Sequence, residues 1–322
     1  MSKYINPFLD WSFKHIFGRD SVKDILIGFL NALFAGRHVI VDIDFGNSER
    51  QPEDQQGRAI IYDIFCTTDR GERIIVEMQN REQPYFKDRA LYYMARSVAE
   101  QGVAGHWDYR LDAVYGIFFL NFRLEDVLGK DAGSSLTEVA LVDTATGAIF
   151  NPKFQQYYIE LPRFDKTEQE CVSEYDKWIY VLKHMDTLEA MPFADDRNAI
   201  FARLEETASR ANLTREERAL YEEQWKNYND YYNTIDFAED KGKREGYAEG
   251  RADGRAEGRA EGRIEGREEG REEGRIEGRE DGRAEGEKRK SIDIAKNMKM
   301  QGCQTALISA CTGLTADEID RL

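Results

Sequence analysis

The stretch that most restricts what this chain can become is Ala59 to Arg81, AIIYDIFCTTDRGERIIVEMQNR. Two runs rich in Ile, Val, Tyr and Phe flank Asp69-Arg70-Gly71, and such runs, bounded by Asp, Arg and Gly, predict a β-hairpin. Each run carries an acid where an apolar residue is expected: Asp63 in IIYDIF and Glu77 in IIVEMQ. A three-residue loop with Gly71 in the left-handed conformation pairs Thr68 with Glu72, and counting back from that pair sets Asp63 directly opposite Glu77. Gln79, two residues further on, projects from the same face. A two-residue turn would instead set Asp63 opposite Met78 and send the acids to opposite faces.

Like charges directly opposite on a sheet repel, so the first register needs a cation, a shared proton or generous solvent. A divalent metal is the simplest supplier, and a small set of hard oxygen donors suits magnesium, Mg2+. The plain alternative is that both acids lie on the solvated face of an edge hairpin. Against it stand Ile61, Phe65 and Ile75, which the same counting sets on the acids' face, where carboxylates are costly unless paired or metal-bound.

Asp63, followed across the hairpin by Glu77-Met78-Gln79, resembles the PD-(D/E)XK nuclease signature in its E-x-Q form. Pro7, Asp10, Phe13-Lys14 and Phe17-Gly18 before it, with Phe86, Arg89, Tyr93 and Gln101-Gly102 after it, extend the likeness over most of residues 4–235. Together they resemble the bacterial recombination-promoting nuclease and transposase family of that superfamily. The resemblance implies an α/β fold, a restriction-endonuclease-like mixed sheet flanked by helices. It also implies a magnesium-dependent DNA endonuclease that hydrolyses phosphodiester bonds, with links to DNA recombination or mobile elements. In that reading Asp63 and Glu77 hold the ion with help from the Met78 carbonyl, and Gln79 positions the attacking water.

The resemblance further implies that an acid of the first core helix assists, which makes Asp10 an accessory candidate beside an ordinary role as helix N-cap. Gln79 stands where the superfamily usually has lysine, and a neutral amide orients a water without supplying positive charge. If the helix after the hairpin packs behind it, Lys87 or Arg89 makes up that charge; the plain reading leaves both solvated or salt-bridged.

Charge bears on the partner. At a net charge of −16 the whole chain repels nucleic acid, which argues against strong sequence-independent binding and leaves room for a local basic patch. The rival reading is therefore a nuclease-fold protein that no longer cuts and serves as a binding or scaffolding partner through its tail. Cys66, Cys171, Cys303 and Cys311 are widely spaced, without a CxxC, and His15, His38, His106 and His184 are scattered. Zinc sites, disulfide frameworks and Ser/His or Cys/His catalysis thus lack support, and a reducing cytoplasm is expected. The polar start is unlike a signal peptide, and no run reaches the roughly 20 apolar residues of a membrane helix.

In order along the chain, two short helices are predicted in Asn6 to Phe34, with Gly18 ending the first, then a strand over His38 to Phe45 and a loop over Gly46 to Arg58. After the hairpin a helix is predicted from Pro84 to about Gln101, with Leu91, Met94 and Val98 on one face. A doubly buried strand follows over Asp112 to Phe122, further strands over Ser135 to Val142 and Phe154 to Leu161, and helices over Glu168 to Leu188 and Asp196 to Asp230, the last restarting at Thr214.

From Gly242 to Gly286 glycine recurs at every fourth residue, mostly as Gly-Arg-x-Glu. Each glycine costs about 1 kcal/mol against alanine in a helix, so this repeat is expected to be a charged tether or a helix formed conditionally, through self-association along the GxxxG stripe. Lys290 to Leu322 predicts three short helices, with a capping box over Thr315 to Glu318, and resembles the helix-turn-helix-like tail of the same family, suited more to protein contact than to reading DNA. The expected division is a nuclease-like domain at 1–236, the repeat at 237–289 and the helical module at 290–322.

Overall fold

The computed structural model describes residues 2–50, 59–124, 134–194 and 199–322. Phe13 and Phe17, four residues apart on α1 (Asp10–Phe17), enter the main core, Trp11 on another side of the helix packs against His15 and Tyr221, and the Gly18 N–H closes the helix on the Lys14 carbonyl. A short turn over Asp20–Val22 leads into α2 (Lys23–Phe34), which buries Ile25, Leu26, Phe29, Leu30 and Leu33. The strand predicted from His38 shrinks to β1 (Ile43–Phe45). The Asn31 side chain takes both backbone groups of Ile40, at 2.8 and 2.9 Å, so that segment is satisfied without a ladder and leaves Val39 and Val41 exposed.

Part of the expected Gly46–Arg58 loop is strand: β2 (Glu49–Arg50) pairs with β3 (Ile60–Ile61) in a small separate sheet, and residues 51–58 lie outside the described residues. The chain bends at Tyr62-Asp63 and continues as β4 (Ile64–Thr68), which pairs antiparallel with β5 (Arg73–Gln79). That bend also corrects an expectation, because Ile61 is carried off the acids' face and stands 60% exposed. Helix α3 (Phe86–Ala99) starts two residues later than predicted, since Tyr85 takes a left-handed conformation at φ 62° and leaves Pro84 in the preceding turn. Its buried side is Phe86, Ala90, Met94 and Ser97; Leu91, on the predicted face with Met94, is half exposed.

The apolar run at Val114 becomes β6 (Val114–Leu120), buried at every residue. Among the described residues, β7 (Leu136–Val142) and β8 (Ile149–Glu160) complete a six-stranded sheet of order β1-β4-β5-β6-β8-β7. β6 runs parallel to both β5 and β8 and the outer pairings are antiparallel, so the sheet is mixed. Helices α1, α2, α4 (Glu174–His184) and α5 (Ala199–Ala208) contribute to the core on one face, and α3 covers part of the other over Phe65, Ile75 and Phe118. This is the expected α/β architecture. A buried all-apolar strand needs cover on both faces, and helices supply it.

Helix α6 (Arg215–Met300) starts at Thr214 as predicted, with reciprocal bonds between Thr214 and Glu217. Two compact units result, residues 1–233 and 234–322. In the second unit the glycine repeat is continuous helix rather than tether, and the Glu272–Arg275 pair closes at 2.6 Å. The first of the three short helices expected after Lys290 is the end of α6. With α7 (Thr305–Thr312) and α8 (Ala316–Asp320) it encloses a small core of Ala295, Ile308, Leu314 and Ile319, while Ile294 is half exposed. Thr315 and Glu318 form the predicted capping box. Among the described residues, no helix is long and apolar enough to cross a membrane.

Candidate active site

The hairpin turn sets the geometry. Gly71 stands at φ 83°, its N–H donates to the Thr68 carbonyl, and the Thr68 N–H donates to the Glu72 carbonyl, both at 2.9 Å. Pairing then runs Thr67 with Arg73 through Ile64 with Val76, and one step further Asp63 faces Glu77. The three-residue loop is the one adopted, and the two-residue alternative is excluded. Ile64, Cys66, Ile74 and Val76 point to the main core, while Phe65 and Ile75 join the cluster under α3 together with the acids' side of the sheet.

The two acids interlock. Asp63 Oδ2 accepts the Met78 N–H at 2.8 Å and the Asp63 N–H donates to Glu77 Oε1 at 3.3 Å, so the Asp63 carboxylate stands where a backbone carbonyl would continue the ladder. Glu77 is 4% exposed. Burial, and secondly the Asp63 charge, push its carboxyl up to about 8. Asp63 is also raised, by burial first, with the Met78 N–H, Lys14 and Arg89 acting the other way. Without another cation the pair therefore favours holding a proton near neutral pH.

Gln79 is held at both ends of its amide: Nε2 donates to Glu77 Oε2 at 3.2 Å and Oε1 accepts from Arg89 Nη2, whose Nη1 reaches Gln83 Oε1. The chain Arg89–Gln79–Glu77 is thus continuous, and the positive charge that Gln79 lacks enters one residue removed. Lys14 supplies a second cation near the pair and is itself bound to Asp10 at 2.7 Å. Asp10 does not cap α1; it is the first helical residue, and the N-cap is Leu9. Its carboxylate instead lies close enough to raise Asp63. Lys87 is exposed on the first turn of α3 and lines a cavity with Gln83 and Phe122, so Arg89 rather than Lys87 is the residue bonded into the Gln79 chain.

Lys14 and Gln83 were missed as site residues in the sequence. A signal for Lys14 was present, because it follows Asp10 by four residues on one helix face, whereas nothing local marks Gln83. The Met78 carbonyl opens on the Asp63 side of β5. The N–H and C=O of one strand residue point the same way, and Met78 directs its N–H at Asp63 while the Gln79 carbonyl faces β6 through Asn121 N–H at 2.9 Å.

A family model described as PD-(D/E)XK nuclease family transposase matches residues 7–238. The chain belongs to that family. Neither the curated proteins nor the solved structures contain a match to it. Membership of the PD-(D/E)XK family implies a nuclease-type function with DNA as the implied substrate, and the mixed sheet flanked by helices is consistent with that fold. Enzymes of the PD-(D/E)XK class generally use divalent metal ions. Among the described residues no three His, Cys, Asp or Glu side chains gather as a metal site, so a metal here would rest on the two carboxylates and backbone oxygen. That set consists of oxygen donors alone and carries the like-charge conflict that a hard dication resolves, so the residues fit.

Proposed function

We propose that this chain is a magnesium-dependent DNA endonuclease acting at Asp63 and Glu77, with the Met78 carbonyl as the further protein ligand. The observation that carries the reading is the interlocked acid pair, buried and opposed in register, with both carboxyls pushed up. When bound, a divalent cation neutralises phosphate charge and makes water a better nucleophile near neutral pH. Asp63 and Glu77 would hold the ion beside the scissile phosphate. Gln79, fixed between Glu77 and Arg89, presents its amide to the attacking water. Lys14 offsets negative charge at the phosphate, and Asp10 holds Lys14 in place.

The test is cutting of single-stranded and duplex DNA by the purified chain with magnesium and with a chelator, beside magnesium calorimetry. A nuclease must bind the ion and cuts; a scaffold that has lost catalysis does not cut and need not bind the ion. The scaffold reading draws on the net charge of −16 and the neutral Gln79. Arg89 separates the two further. Arg89→Ala is expected to lower kcat on the order of a hundredfold with KM little changed, and Arg89→Lys to restore little, because a point charge does not hold both Gln79 and Gln83. A rise in KM alone would make Arg89 a phosphate contact instead.

We also propose a cytoplasmic protein acting in DNA recombination or on mobile elements. Residues 237–289 would serve as a self-association segment and 290–322 as a protein-contacting module. No atom outside the local helix backbone lies within 4 Å of a Cβ built at Gly262 or Gly266. Changing both to alanine is therefore expected to stabilise the helix by about 1 kcal/mol per site, read as a higher melting temperature by circular dichroism. If the glycine stripe seats a second copy, the same change weakens association in sedimentation.

A further inference from the structure

Beside the acid pair lies a cavity of about 580 Å3 that the proposed chemistry does not use. It falls within the range of about 300–1,000 Å3 typical of ligand pockets. Gln83 of its wall is bonded by Arg89, the arginine that also holds Gln79, so the cavity and the acid pair share one arginine. Phe86, Phe122 and Leu124 supply apolar lining, and the rings of Phe86 and Phe122 meet edge to face at 5.9 Å.

Tyr85 at its rim is 81% exposed and sits at φ 62°, an uncommon conformation for a bulky residue. No side-chain hydrogen bond caps the helix there. A large ring held out in solvent on an unfavourable backbone gains nothing for the fold, which makes Tyr85 available to something outside it.

The lining charges narrow what that is. Among the described residues, Glu82 and Asp88 set two carboxylates beside the ammonium of Lys87 and the Arg89 guanidinium on the Gln83 wall, so the lining carries no excess of positive charge to draw a phosphate group. What it suits is a neutral ligand with an aromatic face and hydrogen-bond donors. A nucleobase with an exocyclic amine meets both needs, because carboxylates accept from the amino groups of cytosine, adenine and guanine and tyrosine stacks on each.

We infer that the cavity receives an unpaired base carrying an exocyclic amine, flanking the phosphate held at Asp63 and Glu77, with Tyr85 stacked on the base. The inference rests on the nuclease reading and sets its substrate: strands with an unpaired base beside the cut.

The test uses full-length protein carrying Asp63→Asn, so that DNA stays intact, titrated with a single-stranded oligonucleotide containing 2-aminopurine. Fluorescence is expected to be quenched on binding. Tyr85→Ala should lose the quench and bind on the order of tenfold more weakly, as removal of one base–aromatic stack predicts, while Tyr85→Phe keeps both. Tyr85→Gly, which relieves the backbone, should melt no lower than its parent and still lose the quench, separating stacking from folding. Competing strands rich in adenine or cytosine should displace the probe better than thymine strands or a duplex. A quench that survives Tyr85→Ala, or none with Tyr85 present, overturns the inference. Cutting assays on wild-type protein judge the nuclease reading separately, so either can fail while the other stands.

Discussion

Asp63→Ala is expected to lower magnesium-dependent DNA cutting by about three orders of magnitude, equivalent to roughly 4 kcal/mol at the transition state. The loss has two parts. Removing the carboxylate takes away a proposed metal ligand, and it leaves the Met78 N–H without its 2.8 Å acceptor at the open end of β4. Asp63→Asn separates them, because the amide oxygen still accepts from Met78 while the negative charge is gone. Both variants should be almost equally slow in single-turnover assays, and Asp63→Asn should melt close to wild type. Cutting by either at the wild-type rate would remove Asp63 from the chemistry and with it the proposed site.

Phe119→Ala is expected to cost about 3–5 kcal/mol of stability, the usual range for emptying a buried phenylalanine site. Phe119 is 1% exposed and lies among Phe13, Phe17 and Phe29, with ring centroids 5.6, 6.3 and 5.0 Å away. Its strand position is beside Met78, and two of its ring partners belong to α1, the helix that carries Asp10 and Lys14. The melting temperature of the first unit should therefore fall by roughly 10 °C. Cutting at permissive temperature should weaken as α1 loses its seat. A fall of only a degree or two would mean that the aromatic cluster closes over the gap.

The hairpin shows how far local chemistry reaches. The 23 residues of the hairpin allowed two loop lengths and so two registers; the structure takes the three-residue loop with Gly71 left-handed, and that length places Asp63 against Glu77. The all-apolar run at Val114 and the Thr214 and Thr315 caps were legible, since each depends on neighbours within a few residues. Readings failed where a distant group intervened. Asn31 dissolved the start of the predicted first strand, and the bend at Tyr62, held through its hydroxyl on the Tyr93 carbonyl at 3.1 Å, turned Ile61 out to solvent.

The sequence by itself determined that the hairpin carries two carboxylates in one of two registers, the alternation within each strand, and the helical punctuation of the C-terminal module. Tertiary structure alone decided which cation reaches Gln79, that Lys14 rather than Lys87 stands near the acids, and that Tyr85 faces a cavity beside them. The division has a physical cause. Strand alternation and helix caps follow from backbone geometry over a few residues, whereas the meeting of charges from separate elements depends on how helices pack across a sheet, which no short stretch encodes.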